Sequence, residues 1–182
     1  MRGRSPSIGL VFSLCLILTA CGQRQLFPPE VMQGVDTNFD FASWREKPTA
    51  ALGRDVQLGG RILLADAADG GVLIVGEQLP IVQHPVYGPS SARKRFGVFE
   101  FAILYKGKID SSALNPGNRF IVVGKTQGSK VVSVEGLKKE EPLLIARCIH
   151  VWKTGGTEIA DFSSEGAGYQ PLEQNTYCAA GE

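Results

Sequence analysis

The run "DVQLGGRILLA" (55–65) alternates in character and then meets two successive glycines, Gly59 and Gly60. Alternation with a period of two sends successive side chains to opposite faces of a strand. A double glycine inside such a run marks a bulge or sharp bend. A long, strongly bent first strand is what a small closed sheet requires. The middle of the chain continues in the same pattern. "ADAADGG" has the composition of a turn, and "VLIVGEQLPIV" (72–82) reads as a second strand that Pro80 ends or marks as an edge. "HPVYGPSS" is a loop with two prolines. "RFGVFEFAILY" (95–105) places Phe99, Phe101 and Ile103 on one face and Val98, Glu100 and Ala102 on the other. "NPGNRFIVVGKTQGSKVVSVEG" (115–136) predicts a Pro-Gly turn, a strand, a short turn around Gly128 and a further strand, and "LLIARCIHVWK" (143–153) is the last strong run.

Five or six short strands without a long amphipathic helix predict an all-β fold, a small antiparallel barrel. The OB-fold is the preferred version because its first strand is long and bent; a β-sandwich is the alternative. Residues 52–153 are the expected β-barrel domain. Residues 21–51, with Pro28, Pro29 and Pro48, read as a tether and irregular lead-in, from which Phe39, Phe41 and Trp44 could fold back on the domain. Residues 154–182 read as a loosely structured Gly/Ser-rich tail.

The N-terminus has a different character. Arg2 and Arg4 precede a nearly pure apolar run from Ile8 to Leu18. This is the layout of a signal peptide, and the run is too short for a span that needs roughly 20 apolar residues. It ends in Leu18-Thr19-Ala20-Cys21, which resembles the lipobox of bacterial lipoproteins. That resemblance implies cleavage between Ala20 and Cys21, acyl chains on Cys21, and residues 1–20 as a discarded leader. Several acyl chains make a stable anchor where one does not. The residue after Cys21 is Gly22, not the Asp that retains such proteins in the inner membrane, so the implied location is the outer membrane, facing the periplasm. Of 19 Lys and Arg, loss of Arg2 and Arg4 leaves 17 against 18 Asp and Glu. A near-neutral body offers no electrostatic case for binding nucleic acid.

The lipobox, "VQLGGRIL", "LPIV", "RFGVFEFAIL", "LNPGNRFIVVGKTQGS" and "LLIARCIHVW" occur in this order. Together they resemble the Slp family of outer-membrane lipoproteins over roughly Cys21 to Trp152. The loop "KIDSSALNPGN" departs from the family pattern, and the tail after Trp152 has no counterpart in the resemblance. The resemblance implies an anchored periplasmic β-domain and supplies no reaction.

Cys148 and Cys178 are the cysteines left once Cys15 leaves with the leader and Cys21 is acylated. In an oxidising compartment two such cysteines tend to pair, which would pin the tail to the last strand; the other reading is two free thiols with Cys148 buried. His84 and His150 stand far apart without the close ligand spacing of a zinc site and read as structural. "GKT" (124–126) lacks the upstream glycine of a phosphate loop, since Arg119 stands there, and it opens no helix. "KKEE" (138–141) reads as a solvated loop. No nucleophile motif is present, so neither enzyme activity nor a cofactor is expected. Arg93, Lys94 and Arg95 form a basic cluster before an apolar strand. They read as charges that discourage edge pairing, or as a ligand contact for lipid headgroups or cell-wall polymer, with Tyr87 and Phe96 as a stacking platform. Two functions remain: a lipid-anchored envelope protein that binds an envelope protein or cell-wall partner, and a periplasmic module binding a small or polymeric ligand in an OB-type groove.

Overall fold

The computed structural model describes residues 25–91, 99–134, 136–162 and 171–180. Ala20, Cys21, Arg93, Lys94, Arg95 and Phe96 lie outside the described residues. Six strands form one sheet: β1 (Asp55–Ala68), β2 (Gly71–Leu79), β3 (Glu100–Tyr105), β4 (Arg119–Val134), β5 (Leu137–Trp152) and β6 (Gln174–Cys178). Their order is β3-β2-β1-β4-β5-β6, and every neighbouring pair in it is antiparallel. A parallel pairing of β3 with β5, from Ala102↔Leu143 to Tyr105↔Ala146, joins the first five strands into a ring. The fold is all-β and barrel-like.

The double glycine sits where β1 changes partner. Gly59, Gly60 and Arg61 pair with Leu79, Gln78 and Glu77 on one side and with Ile121, Phe120 and Arg119 on the other. Before them β1 belongs to β4, and after them to β2. Inside the ring lie Val56, Leu58 and Ile62 of β1, Ile74 of β2, Phe101, Ile103 and Tyr105 of β3, Phe120 and Val122 of β4, and Leu144, Ala146, Ile149 and Val151 of β5. The step from even to odd positions in β5 follows from a bulge: Val123 pairs with Cys148 but Gly124 with Ala146, leaving Arg147 as the extra residue.

Three local expectations are corrected. Gly128 is not a turn. It sits in a register shift between Gln127 and Ser129, with φ of 35°, so β4 runs unbroken from Arg119 to Val134. "KKEE" is not a loop but the start of β5, where Lys138 to Glu141 pair with Ser133 to Lys130 of β4. Charged residues suit a two-stranded ribbon that meets water on one side while Val132 packs on the other with Val75 and Ala102, which sequence polarity alone cannot tell from a loop. Gln174 to Cys178, read as loose tail, form β6 along β5.

The lead-in also belongs to the folded body. Helix α1 spans Pro29–Met32 and α2 spans Phe41–Glu46, with Asp40 capping α2 by accepting from the Ser43 amide at 3.2 Å. From α2, Phe41 and Trp44 pack edge-on against Phe101 at ring separations of 5.5 and 6.4 Å. They join the core inside the ring. Aromatic residues ahead of residue 52 thus complete that core.

Phe101 is fully buried, and Phe101→Ala is expected to cost about 3–5 kcal/mol in denaturant unfolding. Glu100 points to the other face and pairs with the half-exposed Lys139 at 3.0 Å, so Glu100→Ala is expected to cost about 1 kcal/mol or less. Equal costs would place the core stripe wrongly.

Candidate functional site

β4 and β5 are apolar on both faces. Ile121, Val123, Cys148 and Trp152 point out of the ring, and they are buried because other segments cover them. Phe27 supplies the centre of the cover and is only 4% exposed, with Leu26, Val31, Met32 and Val35 around it. Polar bonds fix this segment in place. Arg147, the bulged residue of β5, donates to the Val31 carbonyl at 2.9 Å, and the Thr176 hydroxyl of β6 donates to the Leu26 carbonyl at 3.0 Å. The cover ends in an open cleft of about 610 Å³ between residues 25–33 and the turn at His84 and Pro85. Glu30 and His84 are the titratable side chains among the lining residues, which include Leu26, Pro29 and Met32.

β6 forms the second part of the cover. Cys148 and Cys178 are register partners, and a disulfide joins them with Cα atoms 4.1 Å apart. Two residues along, His150 is held by Thr176 (Nδ1 to Oγ1, 2.7 Å) and Gln174 (Nε2 to Oε1, 3.1 Å), with its ring 4.3 Å from that of Trp152. Burial pushes the pKa of His150 below its ordinary 6.5, and the Gln174 bond opposes this only in part. Lys153 donates its amide to the Glu173 carbonyl at 2.9 Å and sets its ammonium 2.8 Å from the Glu173 carboxylate, fixing the entry to β6.

Arg119 forms the third part. It is 1% exposed at the start of β4, where it gathers two loops. Its guanidinium donates to the Pro89 carbonyl at 3.0 Å, the Ser91 hydroxyl at 3.1 Å and the Thr157 carbonyl at 3.2 Å, and it pairs with Glu158. A buried guanidinium is tolerated only when its donors are matched in this way. Alternation alone puts Arg119 on an outer face, so the sequence carries no sign that it is buried.

The remaining candidates separate. His84 is exposed and accepts from the Val86 amide at 3.3 Å. Gly124, Lys125 and Thr126 lie inside β4, where Lys125 is 3.9 Å from Asp55. Tyr87 is 63% exposed. Among the described residues, no three His, Cys, Asp or Glu side chains gather as a metal would require. None of the described helices is long and apolar enough to cross a membrane.

Residues 18–176 match the outer membrane lipoprotein Slp family. The chain belongs to this family. No curated protein and no solved structure matches it. The Slp match begins at Leu18, the first residue of the lipobox-like LTAC, and extends into β6. It therefore takes in the ring, its N-terminal cover and most of the strand pinned by the disulfide.

Two outcomes test this site. Mass spectrometry of unreduced protein should find one peptide pair linked through Cys148 and Cys178; alkylatable thiols at both positions would contradict it. The second concerns pH. The unfolded chain binds a proton at higher pH than folded His150 does, so the stability held by neutral His150 is complete above about pH 6.5 and is lost progressively below it. Wild-type protein should therefore lose more melting temperature between about pH 7 and about pH 5 than His150→Gln. Equal losses would remove His150 from the account.

Proposed function

We propose that this Slp-family chain is anchored in the outer membrane by acyl chains on Cys21, after cleavage behind Ala20, and faces the periplasm without catalysing a reaction. Its role is to hold an envelope protein or cell-wall partner against the membrane. The observation that carries this reading is the extent of the family match, which starts inside LTAC and continues through the folded domain. The β4–β5 ribbon supports the docking role. Beyond the ring, Ser129 to Val134 and Leu137 to Pro142 pair only with each other among the described residues, so their outer edges are open. Val131 and Leu137 are 62% and 65% exposed there. Open backbone edges beside exposed apolar side chains suit strand addition by a partner.

A second reading is a binding module. The ring order β1-β2-β3-β5-β4, closed by a parallel pair, is what an OB-type barrel would present. The open cleft beside residues 25–33 favours it.

Cys21→Ser separates the anchored reading from others. The variant should take up no radioactive palmitate and should remain as uncleaved precursor or leave the outer-membrane fraction. If it still takes up label and stays in that fraction, the anchor is elsewhere.

A further inference from the structure

The proposed anchor and the first packed side chain are very close in sequence. Cys21 is four residues from Gln25 and six from Phe27. At about 3.3–3.6 Å per extended residue, Gln25 can be no more than about 14 Å from Cys21 and Phe27 no more than about 22 Å, whatever path the chain takes. A compact body of this size has a radius of gyration of roughly 14 Å, so its diameter exceeds the spacer. Residues 21–51 therefore do not act as a long tether. The chain is caught on the outer face of β4 and β5 almost as soon as it leaves the proposed lipid site.

Resting on that anchored reading, we infer that the face carrying residues 25–33 and the Pro85–Tyr87 turn lies against the phospholipid surface. The chemistry of this face fits such a partner. Leu26, Phe27, Pro29, Met32 and Pro85 line its open cleft alongside three glutamines, a histidine and one carboxylate, that of Glu30, a mixed lining that suits the headgroup boundary. Tyr87, on the adjoining turn, is 63% exposed, and tyrosine suits the boundary where one end of a side chain is apolar and the other wet. A second groove is different, lined by Arg45, Glu46, Glu140 and Glu141 among others, and fits water. Phe27 keeps the face in register with the anchor, because it is packed against Trp152 and the outer residues of β4.

The test uses the lipidated full chain in vesicles of phosphatidylethanolamine and phosphatidylglycerol, some carrying brominated acyl chains. Trp44 and Trp152 are each 1% exposed and give a constant background. Tyr87→Trp and, on the ribbon at the start of β5, Leu137→Trp add one reporter each at exposed positions. Flotation with the vesicles, and its loss in Cys21→Ser, checks the anchor separately. The expected result is at least twofold bromine quenching of the Tyr87→Trp signal and none for Leu137→Trp. Protein that floats with Tyr87→Trp unquenched would overturn the membrane-facing assignment while leaving the anchor intact. If that reporter is also shielded from acrylamide, a protein surface covers the face instead. Equal quenching at both positions overturns the assignment too, and failure to float overturns both readings.

Discussion

The Phe120 ring lies so close to β1 and β2 that a Cβ on Gly60 or Gly76 would come within 2.5 or 2.6 Å of it. Those two glycines leave the space into which the one aromatic side chain of β4 inserts. A side chain on either glycine would compete with Phe120 for the space where β1 holds β2 and β4 at once. Gly124 has a related role on the far side of β4, because a Cβ there would strike the backbone of Ile145 and Ala146 at the bulge. Real side-chain contacts essentially never come that close, and an interior packed near crystal density has no slack to absorb them. Ring closure thus depends on missing side chains as much as on apolar ones.

A closed ring buries only its inner face, yet β4 and β5 also carry Ile121, Val123, Cys148 and Trp152 outward. Water on that face would waste roughly 1.5–3 kcal/mol for each large side chain left exposed. The segment around Phe27, strand β6 and the loops gathered by Arg119 exist, physically, to cover it. Arg119 holds two loops through one guanidinium, so removing its head group would leave the Pro89 and Thr157 carbonyls and the Glu158 carboxylate without their donors. The cover is polar in its fastenings and apolar in its filling, which lets short, irregular segments be specific without regular structure.

Where strands are paired on both sides, the sequence was legible. Phe99, Phe101 and Ile103 do share the inner side and Pro80 does follow the end of β2, whereas the irregularity expected at Gly59-Gly60 falls just beyond them, between Ile62 and Leu64. Reading failed where local chemistry has two outcomes. Gly128 permits a turn or a bulge, and only the pairing of Gln127 with Leu143 and Ser129 with Pro142 decides between them. Lys138 to Glu141 are charged enough for a loop, yet a ribbon exposed to water accepts them equally well. The cover was the least legible, because Phe27, Arg119 and His150 owe their burial to segments distant in the chain. Nothing in their neighbours' periodicity records that.

β6 shows how a strand with little burial of its own can be held. Its sequence, Gln174-Asn175-Thr176-Tyr177-Cys178, offers only Tyr177 as a large apolar group, and four of its five residues are exposed. Five residues of antiparallel pairing at a sheet edge would fray, since each residue fixed costs about 1–2 kcal/mol of backbone entropy. The bond between Cys148 and Cys178 closes a separation of 30 residues, which in the chain-entropy account amounts to about 3–4 kcal/mol taken from the unfolded state. Once the strand is held, Thr176 can reach both His150 and the Leu26 carbonyl. The link therefore stabilises β6 directly and the Phe27 segment through it. Two pieces of chain that look like loose ends become one continuous cover, sewn down by a covalent bond at one end and by Phe27 at the other.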